Sequence, residues 1–260
     1  MIILYQRICL GNICITAYGL MLMVAVFLCA CIILLKTKRM GIAFEEMMIV
    51  MAVALGAALI SAGTLYIFVS YSVKEFIESV VKGDFNFLYN VGLVFYGGLV
   101  GGIIGAVIAV RWQGLDTGTV ERCVVPVIPL GHAIGRIGCL LAGCCYGLEY
   151  TGPLAVKNTL ISPEKTYFPI QAVEAFFNLG IFVYLLWYAR KKRNNYHILC
   201  VYLLVYAVLR FILEFYRGDL IRGSFSALST SQWISILLFV VSILGLYLTG
   251  EKKKTKALQK

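Results

Sequence analysis

Residues 14–35 read CITAYGLMLMVAVFLCACIILL, and the basic residues Lys36, Lys38 and Arg39 follow almost directly. A run of about 20 apolar residues is long enough to cross the hydrocarbon core of a bilayer as a helix. Cations that flank such a run collect on the cytoplasmic side of the membrane. This stretch therefore predicts a transmembrane helix whose C-terminal end lies in the cytoplasm.

The rest of the chain also has the composition of a membrane protein. Of its 260 residues, 61% are hydrophobic and 14% are charged, whereas a soluble domain has roughly half apolar and about a quarter charged residues. Candidate spans are 14–35, 46–70, 88–110, 124–147, 170–189, 198–216 and 231–249. We therefore predict an all-α polytopic membrane protein of about seven transmembrane helices, with residues 1–260 forming a single transmembrane helical domain.

The basic residues predict the orientation and exclude one class of partner. The formal net charge is +10, and clusters stand beside apolar runs, including Lys252, Lys253 and Lys254 in the tail. With seven crossings and a cytoplasmic C-terminus, the N-terminus lies outside and residues 148–169 form a short extracytoplasmic cap loop. No basic face carries interleaved polar or aromatic residues of the kind that bind bases, so we expect no nucleic-acid partner.

Three predicted spans carry polar side chains at helical spacing. The rows are His132, Arg136 and Cys139 in the fourth span, Gln171, Glu174 and Asn178 in the fifth, and Arg210, Glu214 and Arg217 in the sixth. Each row lies on one helix face, and a charged group at bilayer depth costs about a few kcal/mol, so none can face lipid tails. We expect the rows to face one another around a hydrated cavity near the outer leaflet.

The charges in these rows allow two interpretations. Three arginines against two acids leave a surplus of positive charge, which suits an anionic lipid phosphate gripped by paired hydrogen bonds. The alternative is a set of structural ion pairs, with Glu174 bound to Arg136 and Glu214 bound to Arg210 or Arg217.

Glycines and cysteines form two further patterns. Gly97, Gly101 and Gly105 repeat every fourth residue, which favours close helix packing; Gly97 and Gly98 are also candidates for leaving room for a lipid headgroup. In a continuous helix the Cα atoms of Cys139 and Cys144 would be about 8–9 Å apart, which is too far for a disulfide bond. A helix break at Gly143 or Gly147 would permit a bridge on an oxidising face. We expect no metal, because no fourth ligand stands at suitable spacing, and no cofactor.

Six segments, taken in order, resemble the prolipoprotein diacylglyceryl transferases of bacterial inner membranes. The segments are Ala17-Tyr18-Gly19-Leu20-Met21, Tyr96-Gly97-Gly98-Leu99-Val100-Gly101, Gly135-Arg136-Ile137-Gly138-Cys139 through Gly147, Pro169-Ile170-Gln171-Ala172-Val173-Glu174, Arg210-Phe211 through Glu214-Phe215-Tyr216-Arg217, and Ser231-Gln232-Trp233-Ile234-Ser235. The third is similar to the family's Gly-Arg-x-Gly-Asn signature. The resemblance implies a multi-pass protein of the bacterial inner membrane.

The resemblance also implies a reaction and roles for residues. Such enzymes move diacylglyceryl from phosphatidylglycerol to the cysteine thiol of a lipobox-bearing secreted protein, forming a thioether and releasing glycerol phosphate. By resemblance, Arg136 and Arg217 handle the phosphate. The remaining implied substrate-binding residues are Tyr18, Gly97, Gly98, Cys139, Gln171, Arg210 and Glu214, and Glu174 is implied in catalysis.

The chain departs from the family pattern at several positions. Tyr96 takes the place of the histidine of His-Gly-Gly and is a candidate catalytic residue, although a tyrosine with a pKa of about 10 is a poor base at neutral pH. Within the signature, Cys139 and Ala142 replace asparagines and Cys144 replaces a glutamate. His132 is a candidate base, because histidine titrates near neutral pH. Cys139 as a lipid-carrying nucleophile is a second possibility.

These departures leave three readings of function open. The first is a lipid-group transferase that uses phosphatidylglycerol or a related anionic lipid as donor. The second is a transferase with a different acceptor. The third is a non-catalytic lipid-binding or partner-binding membrane protein that retains the anion pocket.

Overall fold

The protein is described from a computed structural model in which helices predominate. The structure describes residues 7–10, 13–70, 95–158, 161–162, 164–191, 196–218, 224–225 and 228–258. The helices are α1 (Ala17–Met40), α2 (Phe44–Ser70), α3 (Phe95–Trp112), α4 (Thr117–Val124), α5 (Ile128–Ala142), α6 (Ile170–Tyr188), α7 (His197–Glu214) and α8 (Thr230–Leu258). A 3-10 turn, Val125–Val127, joins α4 to α5.

Short antiparallel hairpins complete the described secondary structure. They are β1 (Arg7–Leu10) with β2 (Ile13–Thr16), β3 (Val156–Lys157) with β4 (Thr166–Tyr167), and β5 (Ser224–Phe225) with β6 (Leu228–Ser229). The β3–β4 hairpin lies in the predicted cap loop 148–169, where Tyr150 N–H donates to the Thr166 carbonyl at 2.9 Å. The cap loop is therefore folded, and its placement outside the membrane stays a prediction.

Six helical segments among the described residues are long and apolar enough to cross a membrane. They are Ala17–Met40, Phe44–Ser70, Thr117–Ala142, Ile170–Tyr188, His197–Glu214 and Thr230–Thr249, and a shorter apolar helix covers Gly97–Trp112. Each overlaps a predicted span, and the all-α polytopic class is confirmed. The number of crossings, the orientation of the termini and the single-domain organisation stay predictions.

The fourth span is shifted toward the N-terminus relative to the predicted range 124–147. It begins with α4, where the Asp116 carboxylate accepts a hydrogen bond from the Thr119 backbone N–H at 2.9 Å and so caps the helix. Pro126 and Pro129 lie near the 3-10 turn, as expected of residues without a backbone N–H. The span ends at Ala142 because Gly143 takes a left-handed conformation with φ of 72°.

The chain forms two compact units, each held together by its own internal contacts. One comprises Met1–Ile33 with Glu121–Lys260, and the other comprises Leu34–Val120. In the first unit α5 packs on α6, and α7 packs on both α6 and α8. Its apolar core includes Ile181, Leu185 and Ile198. The Glu121 carboxylate accepts backbone hydrogen bonds from Tyr196 and Leu199 at the start of α7, where a negative charge complements the helix dipole.

In the second unit α2 and α3 pack closely through the glycine row. A Cβ on Gly97 would lie 2.6 Å from the Ser61 carbonyl oxygen, and one on Gly101 would lie 2.4 Å from the Ser61 Cβ. A Cβ on Gly105 would lie 2.7 Å from the Ala57 Cβ. The packing role of this row is confirmed, and it also explains why a small residue, Ser61, occupies the facing position.

Candidate active site

The first part of the site is a buried ion-pair group between α5 and α6. Glu174 is 1% exposed. Its Oε1 atom lies 3.0 Å from Arg136 Nε and 3.3 Å from His132 Nε2. His132 and Arg136 are one helical turn apart, so both reach the same carboxylate. The predicted pairing of Glu174 with Arg136 is confirmed.

The polar row of α6 faces inward, as its spacing predicts. Gln171, Glu174 and Asn178 are all buried. Asn178 donates from Nδ2 to the Glu174 carbonyl at 2.8 Å, and Gln171 donates from Nε2 to the Cys144 carbonyl at 2.8 Å. Gln171 thus ties α6 to the loop that follows α5.

The second ion-pair group joins the end of α7 to the start of α8. Glu214 Oε2 lies 2.7 Å from Arg210 Nη2 and 3.9 Å from Arg217 Nε. Ser229 Oγ donates to Glu214 Oε1 at 2.9 Å, and Arg210 Nη2 donates to Ser231 Oγ at 3.1 Å. Pairing of Glu214 with Arg210 or Arg217 was predicted as alternatives; the structure shows the closer pair with Arg210 and a longer one with Arg217.

Two serines of this group had no role predicted for them. Ser229 and Ser231 bind Glu214 and Arg210, and Ser231 also accepts through its backbone carbonyl from Ser235 Oγ at 2.8 Å. Polar residues at the start of an otherwise apolar span, Ser231, Gln232 and Ser235, were the available signal. Such residues need partners at bilayer depth.

Arg217 is not part of the helical row that its spacing predicts. Helix α7 ends at Glu214, so Arg217 lies past the helix end. Its backbone instead forms an antiparallel bridge with Gly147. The flanking hydrogen bonds run from Leu148 N–H to the Tyr216 carbonyl at 3.0 Å and from Gly218 N–H to the Tyr146 carbonyl at 3.1 Å. Arg217 is therefore positioned by the loop after α5.

That loop gathers three cysteines. Because Gly143 ends α5, Cys144 and Cys145 turn back toward Cys139, and the three sulfur atoms lie within 4.8 Å of one another. The continuous helix considered for this stretch is wrong, and the alternative of a break at Gly143 is confirmed. Three thiols this close form a group that could hold a metal ion.

The two arginines predicted to bind the phosphate both affect the pKa of a thiol in this loop. Hydrogen bonds from Cys139 and Cys144 lower the pKa of the Cys145 thiol, and the guanidinium groups of Arg136 and Arg217 lower it further. Arg136 lies in α5 and Arg217 lies past the end of α7, yet both charges act on one thiol.

Comparison with known proteins decides the family. The family model described as Prolipoprotein diacylglyceryl transferase matches residues 6–248. The chain belongs to the prolipoprotein diacylglyceryl transferase family. Proteins named phosphatidylglycerol–prolipoprotein diacylglyceryl transferase are similar along most of its length. That of Clostridium tetani is 33% identical over 233 residues, which are 87% of this chain and 90% of the relative.

Two further relatives match a larger share of the chain. Phosphatidylglycerol–prolipoprotein diacylglyceryl transferase 2 of Clostridium perfringens is 32% identical over 266 residues, covering 95% of this chain and 100% of the relative. The Dehalococcoides mccartyi protein is 28% identical over 258 residues, covering 95% of this chain and 94% of the relative. The predicted resemblance to diacylglyceryl transferases, and with it the transferase class, is confirmed.

The first of the six segments that resemble the diacylglyceryl transferase family contains Tyr18, and it packs on α5. A Cβ on Gly138 would lie 3.0 Å from the Met21 Cβ and 3.3 Å from Tyr18 Cδ2. Gly138 therefore lets α1 approach the helix that carries Arg136 and Cys139. This contact brings Tyr18 beside α5, and its substrate-binding role stays a prediction.

The second of the six segments that resemble the diacylglyceryl transferase family, which begins at Tyr96, lies in the unit Leu34–Val120. Tyr96 belongs to α3, but its side chain lies outside the described residues. Gly97 packs against α2, whereas a Cβ on Gly98 would lie 3.5 Å from the nearest atom, the Ala62 Cβ, at ordinary contact distance. Catalytic and headgroup-binding roles for these three residues stay predictions.

Proposed function

We propose that this protein transfers diacylglyceryl from phosphatidylglycerol, or a related anionic lipid, to the cysteine thiol of a lipobox-type secreted protein. The proposed location is the bacterial inner membrane, with the site toward the outer leaflet. The names of the relatives supply the donor and the acceptor class. The observation that carries the proposal is the backbone bridge that joins Arg217 to Gly147, the last residue of the signature segment that contains Arg136.

The charges of the site support binding of a phosphate. Glu174 pairs with Arg136, and Glu214 pairs with Arg210 and Arg217, so three arginines face two carboxylates. Within the described residues, Arg210 Nη1 is buried and makes no hydrogen bond. A buried donor without a partner is costly unless a ligand satisfies it. A lipid phosphate would supply both the missing acceptor and the missing negative charge.

The proposed reaction is an alkyl transfer from oxygen to sulfur. The acceptor sulfur attacks the glyceryl carbon bonded to the phosphate oxygen, a carbon–sulfur bond forms, and the carbon–oxygen bond breaks with its electron pair on that oxygen. The products are a thioether and glycerol phosphate. Fixed arginines stabilise the charge that develops on the leaving phosphate, and such preorganised groups contribute directly to rate.

The acceptor thiol must also lose its proton, because the thiolate is the nucleophile. His132 is the proposed base, and its Nε2 atom lies 3.3 Å from Glu174 Oε1. A carboxylate at this distance orients the ring and stabilises the imidazolium that proton uptake creates. Glu174 is thus proposed to serve both His132 and Arg136.

The test uses purified full-length protein, phosphatidylglycerol labelled in its headgroup, and a lipobox peptide. We expect the peptide to gain the mass of a diacylglyceryl group while labelled glycerol phosphate is released in equal amount. Arg136→Ala and Arg217→Ala should each lower the rate by about 100-fold or more, the loss typical of removing one transition-state donor.

Arg190→Ala is the matched control, because Arg190 is exposed just beyond α6. It should keep the parent rate. Tight binding of phosphatidylglycerol without any product would contradict the proposal and support the lipid-binding alternative. Headgroup release with an unmodified peptide would instead indicate a transferase with another acceptor.

A further inference from the structure

The proposed reaction gives no role to three cysteines at the end of α5 and in the loop after it. Cys139, Cys144 and Cys145 have their sulfur atoms within 4.8 Å of one another. Cys139 is buried in α5, Cys145 is half-buried, and Cys144 is exposed. The group is therefore anchored on one side and open on the other, and an open side gives an ion or a substrate a path of entry.

The surrounding structure holds the loop in the converging conformation. Cys144 N–H donates to the Cys139 carbonyl at 3.1 Å, and Gln171 donates to the Cys144 carbonyl at 2.8 Å. The buried Asn158 donates from Nδ2 to the Gly143 carbonyl at 2.7 Å. These contacts hold the three thiols together before any ligand arrives, and supporting contacts of this kind raise the affinity of metal sites.

The sulfur separations fit a single metal ion. A zinc ion with Zn–S bonds of about 2.3 Å places tetrahedral thiolates about 3.8 Å apart. The present limit of 4.8 Å needs a contraction of no more than about 1 Å, within the reach of side-chain rotation. Among the described residues no fourth histidine, cysteine or carboxylate joins the group. Three protein ligands with an open fourth position are the arrangement of catalytic zinc sites.

We propose that Cys139, Cys144 and Cys145 bind one zinc ion and that its open fourth position takes the acceptor cysteine thiol; the second part rests on the proposed function. The missing fourth ligand, which argued against a metal from sequence alone, then becomes the substrate. Zinc would also favour the thiolate form of the acceptor, since a thiol coordinated to zinc is deprotonated.

The acceptor thiol gives its proton to His132, the proposed base, when its sulfur binds zinc. The zinc-bound sulfur attacks the glyceryl carbon, the carbon–oxygen bond to phosphate breaks, and the departing phosphate oxygen keeps the electron pair. The thioether product is a weaker ligand than a thiolate and leaves the metal. Zinc changes no oxidation state, so no oxidant or reductant is needed.

The charges around the cluster suit this assignment. Three thiolates and one zinc ion carry one net negative charge. Arg136 precedes Cys139 by one helical turn in α5, and Arg217 pairs through its backbone with Gly147 in the loop that carries Cys144 and Cys145. Cations near metal-bound thiolates stabilise the deprotonated ligands. The same arginines would stand beside the phosphate in the transition state, so sulfur and leaving group would meet in one place.

The binding test uses full-length protein purified under reducing conditions, stripped with a chelator and reloaded with zinc or cadmium. We expect one metal per chain by elemental mass spectrometry, and a near-ultraviolet thiolate-to-cadmium absorption band. The triple variant Cys139→Ser, Cys144→Ser and Cys145→Ser should lose both signals. The matched control Cys29→Ser with Cys200→Ser, which changes cysteines of α1 and α7, should keep both.

Several outcomes would overturn the metal site. They are less than stoichiometric binding to the folded parent protein, binding that survives in the triple variant, and a disulfide between any two of the three cysteines in the freshly purified protein. If the triple variant fails to fold, the single variant Cys144→Ser is used, because Cys144 is exposed. It should weaken zinc binding by at least about tenfold, since it removes one of three ligands.

A second experiment tests the open position separately from the transfer reaction. Adding a lipobox peptide to the cadmium-loaded protein should raise the thiolate absorption by about one third, as three sulfur ligands become four. A peptide with serine in place of cysteine should leave it unchanged. No rise with the cysteine peptide would overturn the substrate part of the proposal.

The transfer assay then distinguishes the two proposals. Stripping zinc should lower the transfer rate by about tenfold or more, because only a few per cent of a free thiol is ionised at pH 7. Full transfer by the stripped protein would overturn the role of zinc and leave the proposed function standing. Zinc and peptide binding without transfer by any preparation would contradict the proposed function and leave the metal site standing.

Discussion

The backbones of Gly147 and Arg217 pair as an antiparallel bridge, which ties the loop after α5 to the end of α7. The two segments are 70 positions apart in the chain. The crossing is tight, because a Cβ on Gly218 would lie 2.3 Å from the Gly147 carbonyl oxygen. This bridge brings the charge of Arg217 and the thiol of Cys145 into one site.

Gly147→Ala should break this arrangement. A Cβ at Gly147 would lie 2.5 Å from the Phe168 carbonyl oxygen and 3.0 Å from that of Tyr216, so the backbones must separate. We expect a loss of about 1–3 kcal/mol in the free energy of unfolding, as for other overpacked sites, and a large drop in transfer. Thermal unfolding in detergent and the transfer assay measure the two effects.

The control for that substitution is Gly180→Ala in the middle of α6, where nothing lies within 4 Å of the added Cβ. It should keep the parent melting temperature or raise it, because alanine favours helix over glycine. Equal behaviour of the two variants would show that the Gly147 crossing does not constrain the fold.

Glu174→Gln should separate structure from catalysis at the first ion-pair group. It leaves the mostly buried Arg136 charge and His132 without their carboxylate, and breaking a buried pair costs about 3–5 kcal/mol. We expect a clear fall in melting temperature together with a loss of transfer. Thermal unfolding and initial rates are the measurements.

The double variant Glu174→Gln with Arg136→Gln provides the decisive comparison. Removing both charges should recover much of the lost stability, because no uncompensated charge remains. Transfer should stay absent, since the phosphate loses its arginine. Transfer restored along with stability would mean that the pair is only structural.

His132→Ala should remove the base while leaving the phosphate site in place. We expect kcat to fall by about 100-fold or more with little change in KM for phosphatidylglycerol, as for other general bases. Added imidazole should restore part of the rate. The centroids of the His132 and Tyr206 rings are 5.2 Å apart. Removing the His132 ring therefore leaves space beside Tyr206 for the added imidazole.

His197→Gln is the comparison for His132, since these are the two histidines of the chain. Both ring nitrogens of His197 are engaged, with Tyr188 and Thr249 each at 3.0 Å. Its loss should lower stability without changing transfer per folded molecule. A parent rate in His132→Ala would exclude His132 as the base.

Gly98→Ala and Gly101→Ala should distinguish headgroup binding from helix packing on α3. Gly101 faces Ser61 at a distance that excludes a Cβ, whereas Gly98 has ordinary contact distances to α2. We expect Gly101→Ala to lower the melting temperature and Gly98→Ala to preserve it. If Gly98 also binds the headgroup, its alanine variant should raise KM for phosphatidylglycerol while remaining stable.

The sequence correctly predicted the elements that depend on local chemistry. Apolar runs of span length, such as 14–35, predicted the helices, because backbone groups in a bilayer must be satisfied within the segment. Helical spacing predicted that the row containing His132 and Arg136 would face the row containing Glu174. It failed at Arg217, because the helical row was extended past Glu214, where the helix ends. A helix end is set by tertiary contacts as much as by sequence.

What the sequence by itself determined is the membrane class, the family and the pairing of acids with arginines, since each depends on residue type and on spacing along one helix. Only the tertiary structure decided that Cys139, Cys144 and Cys145 meet, and that Arg136 and Arg217 act on the same thiol. The physical reason is that these contacts depend on a left-handed turn at Gly143 and on a backbone crossing at Gly147. Helical periodicity carries no information about either.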